Sequence, residues 1–332
     1  MIKIRENKVD NIRAIAMICI VLAHCGAPLI INNFRVFDVI TLVFLSSYVI
    51  DISISYEIDS YKNNIYKRII RLFKPTIIFI VMMGVMQFFV YKIAGRSDLL
   101  TFNKILNSFL LCENSIGYVW IIKVYLVNFI MSPLLIKITK VMKYTWMYVI
   151  LLSILYSIYF LALIFYQNKI EHSYLSWIII NEWGLCCIFY LIVALDAIRF
   201  KSDLFWKKYG IIFWLMIFIG SCLFYKSNFY FAPALDKRPA GIQYLAYGML
   251  ITYLLFKIVK DEENKFFRWI SFNSMEIYYI HTFFVFIMSC VQVFFKINNQ
   301  FFWIGQFFVI FIGTVVTLRG FEILKKVKIL NQ

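Results

Sequence analysis

The chain is poor in the residues that make a water-facing surface. Only 16% of its 332 residues are charged, where a soluble domain carries about 25%. Its five prolines form no linker, and its twelve glycines form no Gly-rich nucleotide loop. The seven cysteines show neither metal-ligand nor redox spacing. Cys186 and Cys187 are neighbours, and adjacent residues rarely bridge; all seven lie in or beside apolar segments, which points to packing. No internal repeat is present. These absences leave no stretch that reads as a soluble domain, so any chemistry belongs to membrane helices or the short loops between them.

Apolar residues make up 62% of the sequence, and they fall in runs of about 20, the length that crosses a bilayer as a helix. The expected fold is all-α: a polytopic transmembrane bundle forming one domain over 1–332. About ten spans are expected, at 12–31, 35–56, 75–94, 116–136, 145–166, 175–196, 209–225, 241–258, 275–295 and 301–318. Segment 100–112 is apolar but short, and reads as an interfacial or re-entrant piece. The positive N-terminus and the "LAHC" at 22–25 faintly imitate a signal sequence. The histidine before the cysteine and the spans that follow argue for a retained first helix.

Lysine and arginine alternate in density from one connection to the next. Three to five occur at the N-terminus (Lys3, Arg5, Lys8) and in each of 62–74, 137–143, 199–208, 257–268 and 319–328, against one to three in the others. Positive flanks stay cytoplasmic, so both termini are expected inside. The net charge of +16 is then mostly a topology signal. It is spread over six flanks and forms no single basic face, which argues against nucleic-acid binding.

Four stretches carry polar residues where the bilayer would make them costly. In "IRAIAMICIVLAHCG" (12–26), Arg13 and His24 are eleven positions apart. On a continuous helix they share a face, roughly 16 Å apart along the axis. Arg13 reads equally as a snorkelling anchor. An imidazole past mid-membrane faces protein or a water-filled cavity, as a functional or a hydrogen-bonded packing residue. In "YKRIIRLFKP" (66–75), Arg68 and Arg71 share a face that suits phosphate groups, although a positive-inside anchor explains them as well. "YVWIIKVYLVNFIMSPLL" (118–135) carries Trp120, a buried-looking Lys123, Asn128 and Pro133. Lys123 needs a partner, with Glu182 and Asp196 as candidates. In "WISFNSMEIYYIHTFF" (269–284), Ser274, Tyr278 and His281 line one helix face, as a polar cavity or as glue between helices.

Taken together, these stretches resemble the acyltransferase-3 family of integral membrane acyltransferases. The family's arginine, ten residues and histidine on the first helix match "RAIAMICIVLAH" (13–24). Its Phe-Phe-x-x-Ser-Gly-Tyr-like segment matches "VFLSSYVI" (43–50), with Ser46 and Tyr48 in place and Ser47 where glycine is usual. Its basic stretch ending in proline matches 66–75. Its Trp-containing helix ending in Pro-Leu-Leu matches 118–135, and its Ser-x-x-Ile-Tyr-x-x-His matches "SMEIYYIH" (274–281). "DKRPAGIQYLAYG" (236–248) is similar to an outer-loop element of members that modify surface polysaccharides, a weaker match.

The resemblance implies a bacterial enzyme of the inner or plasma membrane. It would move an acetyl group from cytosolic acetyl-CoA to a hydroxyl of a cell-surface or lipid-linked polysaccharide. It implies no bound cofactor and no metal. His24 would act as general base or acyl carrier, and Arg13, with a catalytic part as well, would bind the donor phosphates with Arg68 and Arg71. Ser46, Tyr48, Trp120, Lys123, Glu182, Ser274, Tyr278 and His281 would line the cavity. The competing readings are a transporter or flippase of a lipid-linked glycan, and an acyltransferase with another acyl group, such as succinyl, or another acceptor.

Overall fold

A computed structural model of the protein describes residues 6–50, 58–96, 99–167, 174–224, 231–237, 240–297 and 301–330. Lys3, Arg5, Arg238 and Pro239 of the stretches singled out above lie outside them. Among the described residues every element is helical. The order is α1 (Asn7–Ala23), α2 (Leu29–Arg35), α3 (Asp38–Tyr48), α4 (Ile58–Ile93), α5 (Phe102–Phe109), α6 (Trp120–Val141), α7 (Thr145–Gln167), the single turn α8 (Tyr174–Ser176), α9 (Cys186–Ser202), α10 (Leu204–Phe224), α11 (Ile242–Ile258), α12 (Lys265–Phe272), α13 (Ser274–Phe294) and α14 (Phe302–Leu330). A π-helical stretch, Trp177–Leu185, joins α8 to α9.

Among the described residues, eight segments are long and apolar enough to cross a membrane, with mean hydropathy from 1.3 to 2.4. One shorter apolar helix, α11, has 17 residues, the short end of the spanning range. The protein is thus an all-helical, multi-pass membrane protein. The short 100–112 piece forms the amphipathic α5, capped by the Thr101 hydroxyl, which accepts from the Lys104 amide.

The first helix is placed differently from the span expected at 12–31. Its helix begins at Asn7 and ends at Ala23. His24 follows with φ −101° and ψ 8°, and Gly26 turns the chain with φ +67°. Pro28 then starts α2. A positive-φ glycine and a nearby proline are helix stop signals, and here they override the continuing apolarity of Ala27, Leu29 and Ile30. The second apolar segment is in turn broken at Val36–Phe37. Arg35 and Asp38 straddle that break with a 2.7 Å ion pair, so the buried Asp38 carboxylate is not stranded. The last helix runs beyond the expected 318, to Leu330.

The chain divides into two compact units, residues 1–42 with 213–332 and residues 43–212. In the first, the start of α1 is tied to the turn before α12. The Lys8 amide donates to Asp261, and the Asn11 side chain donates to the carbonyls of Lys260 and Glu262. α3 and α11 come so close that a Cβ on Gly248 would meet Ile40 at 2.5 Å, and one turn on Thr41 and Thr252 share a 2.7 Å hydrogen bond. In the second unit α6 and α9 pack together, and the α6 segment is 61% buried. The α7 segment is only 22% buried, leaving most of its apolar surface for lipid.

Candidate functional site

In the first unit, α1 carries Arg13 two turns from its start and delivers His24 directly after its last residue. The Arg13 guanidinium donates to the Ser271 hydroxyl of α12 at 3.2 Å, and that hydroxyl donates to Asp10 at 2.7 Å. Asp10, 2% exposed, also lies 3.9 Å from the guanidinium. A carboxylate three residues back and a hydroxyl from a neighbouring helix thus hold Arg13 in one direction. The helix break means that His24 is no longer a mid-helix residue. It is half-buried at the helix end, where its ring is aimed by a turn and not by helical periodicity.

His24 meets α13 there. Its ring centre is 5.5 Å from that of His281, with the planes inclined by 37°. His281 is fully buried. Its Nδ1 lies 3.0 Å from the Ile277 carbonyl, and a carbonyl can only accept, so Nδ1 carries the proton. In the neutral ring Nε2 is then an acceptor. It is buried and has no hydrogen-bond partner among the described residues. Tyr278 stands edge-on to His281 at 5.6 Å, and Ser274 is half-buried in the first turn of the same helix. The expected stripe of Ser274, Tyr278 and His281 therefore has two members in contact, and it draws in His24.

In the second unit Lys123 is fully buried and its partner is Glu182. The ammonium donates to the Glu182 carboxylate at 2.9 Å and to its carbonyl at 2.7 Å, and sits 5.7 Å from the Trp183 ring. The same carboxylate accepts the Glu113 amide at 2.8 Å. The π-helical turn offers both the side chain and the carbonyl of Glu182 to Lys123. Asp196, the other candidate partner, instead accepts from the Tyr148 hydroxyl at 3.1 Å and the Trp206 indole at 2.9 Å. Trp120 packs on Tyr190.

Arg68 and Arg71 lie on one long helix, α4, and both are exposed. The Arg68 guanidinium stacks 4.0 Å over the Phe129 ring. Pro75 lies inside α4 and cannot donate to the Arg71 carbonyl four residues back. Ser46 donates to the Val43 carbonyl. Ser47 is buried, and its hydroxyl has no hydrogen-bond partner among the described residues. Tyr48 is buried beside Phe200, and its carbonyl, with that of Ile50, accepts from Lys201. This lysine closes the end of α3 and was not foreseen from the sequence. Nor were Asp10 and Ser271, although an aspartate three residues before Arg13 is a readable pairing signal. Asn128 is 2% exposed, and neither its carbonyl nor its amide nitrogen finds a partner among the described residues.

No group of three or more metal-ligating side chains occurs among the described residues, and the seven cysteines are unbridged. Burial pushes the Cys112 thiol, in the loop after α5, up to about 11, so it stays protonated and non-nucleophilic at neutral pH.

A family model described as an acyltransferase domain matches residues 6–318. No curated protein and no solved structure matches the chain. The family match spans nearly the whole helical bundle, both histidines and all three arginines included: the protein belongs to the acyltransferase-3 family and is a membrane-embedded acyltransferase.

Proposed function

We propose that the protein transfers an acetyl group from cytosolic acetyl-CoA to a hydroxyl of a cell-surface or lipid-linked polysaccharide, in the inner or plasma membrane of a bacterium. Both termini lie in the cytoplasm on this reading. His24 is the general base. One of its ring nitrogens takes the proton of the sugar hydroxyl as the oxygen attacks the thioester carbonyl. The new C–O bond forms, the C–S bond breaks, and the departing CoA thiolate recovers the proton from the imidazolium. The same nitrogen could instead accept the acetyl group first, and a trapped acetyl-enzyme would favour that route. Arg13, Arg68 and Arg71 contact the CoA phosphates, for which a guanidinium fork is a better partner than an ammonium.

The observation that carries this reading is the placement of His24, half-buried at a helix end and in ring contact with a second, buried histidine. The buried charged side chains Asp10, Asp38, Lys123, Glu182, Asp196 and Arg199 all hydrogen-bond within the protein. The deciding experiment is mass spectrometry of the surface glycan from cells with and without the gene, paired with transfer of labelled acetyl from acetyl-CoA by the purified protein. Acetyl esters lost with the gene, and label passed to a glycan acceptor, support the proposal. A mass increment of succinyl changes the acyl group. Glycan translocation without any CoA-dependent reaction rejects the enzyme reading in favour of a transporter.

A further inference from the structure

We infer that the buried carboxamide of Asn128 binds the pantetheine arm of the acyl donor: its carbonyl accepts an amide N–H of the arm, and its NH2 group donates to an amide carbonyl. The inference rests on the acetyl-CoA reading above and names the group that holds the donor between its phosphates and its thioester.

Asn128 lies well inside α6 and is 2% exposed. Neither end of its carboxamide finds a partner among the described residues. An amide taken out of water and left unpaired is costly, and the bilayer core has no water to meet it. Its own helix does not help. Ser132, one turn on and on the same face, is fully buried. Its hydroxyl donates to the Phe129 carbonyl at 2.8 Å, which Pro133 cannot serve. Thr139, further along that face, donates to the Leu135 carbonyl at 2.8 Å. A partner for Asn128 must bring a donor and an acceptor together, on a chain slender enough to pass between packed helices.

The neighbouring residue points to the ligand. The Phe129 ring is 4.0 Å from the guanidinium of Arg68, one of the arginines assigned to the donor phosphates. A guanidinium has five N–H donors and holds a phosphate with two of them. Consecutive side chains on a helix put the Asn128 carboxamide about 10 Å from that guanidinium. A phosphorus atom held by a guanidinium lies about 4 Å from its carbon. Five bonds of extended chain, at about 1.3 Å each, carry the nearer amide of the arm about 6–7 Å further. The two spans agree. The N–H of that amide and the carbonyl of the next are joined by two methylenes and can face the same side, so the arm offers one donor and one acceptor to a single carboxamide. Entry of the arm parts α4 from α6, and little packing opposes this, because the α4 segment is only 22% buried.

The test is calorimetric titration of the purified full-length protein with two probes: CoA, and 3′-phospho-ADP, which is the nucleotide part of CoA without the arm. Wild type is compared with Asn128→Leu, in which the side chain keeps its branching but has neither donor nor acceptor. The expected result is CoA affinity about ten- to fiftyfold weaker in the variant, as for the loss of two neutral hydrogen bonds, with 3′-phospho-ADP bound as by wild type. A CoA analogue with oxygen in place of the N–H of the nearer amide should bind wild type several-fold more weakly than CoA does, and the leucine variant no more weakly than CoA does. Asn128→Ala replaces the leucine variant if that one does not fold. Unchanged CoA affinity in the folded variant overturns the inference. So does an equal loss for both probes, or an analogue that wild type binds as tightly as CoA. Wild type that binds neither probe rejects the donor reading and the arm contact together. Wild type that binds CoA through Asn128 but transfers no acetyl group rejects the proposed reaction and leaves the contact standing.

Discussion

Each unit buries a polar cluster, and the two clusters differ in how fully their hydrogen-bonding capacity is met. In residues 43–212, the Lys123 ammonium has a carboxylate and a carbonyl as acceptors, and the Glu182 carboxylate takes a backbone amide besides. In the other unit His24 and His281 touch, yet the Nε2 of the buried ring has no partner among the described residues. A closed cluster stabilises one arrangement of helices. An open one holds a group ready for something else, at a cost in stability that a purely structural site would not need to carry. Buried charge alone is therefore a poor guide to function in this bundle.

The sharpest way to break this contrast is to remove one member of each cluster. His24→Ala is expected to lower the acyl-transfer rate by about 10²–10⁴-fold, the usual contribution of a general base, with insertion and unfolding temperature close to wild type. Near-normal acetylation at matched expression would reject His24 as the base. Lys123→Met should do the reverse. It strands Glu182 and costs about 3–5 kcal/mol of stability, read as thermal unfolding in detergent, while the activity per folded molecule survives. Adding Glu182→Gln, which strands no charge and keeps an acceptor for the Glu113 amide, should recover most of the loss. If Lys123→Met abolishes turnover in fully folded protein, the closed cluster is also functional and the contrast fails.

The arginines refine the comparison at smaller scale, because Arg13 is held by Asp10 and Ser271 whereas Arg68 and Arg71 are exposed on α4. Replacing each by lysine should weaken acetyl-CoA binding about ten- to a hundredfold, the worth of one charge-assisted bond of roughly 1.5–3 kcal/mol. Unchanged affinity in all three variants would leave them as headgroup anchors. The smallest effect on stability is expected at Asn128, one of several buried side chains of the second unit with an unmet polar atom among the described residues. Asn128→Leu removes an unmet amide worth about 1–3 kcal/mol and adds bulk that costs about as much. Stability should change by no more than about 1 kcal/mol, and a loss of several would mean that the amide is paired.

Much of this was legible from composition and spacing. The run lengths predict an all-helical membrane protein, and the need of a buried lysine for a counter-charge narrowed its partner to two residues, one of them right. The end of α1 was misplaced because hydropathy averages over the turn at 24–28, although Gly26 and Pro28 mark it. The contact between His24 and His281 joins residues 257 positions apart in sequence. Periodicity along either helix cannot report it, since it depends on how α13 packs beside the end of α1. The fixed tautomer of His281 is likewise a matter of where the Ile277 carbonyl points.

The Lys123–Glu182 pair also has a consequence for biosynthesis. Its members are 59 residues apart in sequence, and at about 5–20 residues per second the ribosome needs about 3–12 s to make the second after the first. For that interval the Lys123 ammonium lacks its partner, and at the centre of a spanning helix such a group would cost about 2.5–3.5 kcal/mol. Lys123 lies in the first turn of α6, where its flexible stem can reach the headgroups. The lysine can therefore wait at the membrane surface and be drawn inside only when the π-helical turn arrives, so that the settling of α6 is timed by the synthesis of a later helix.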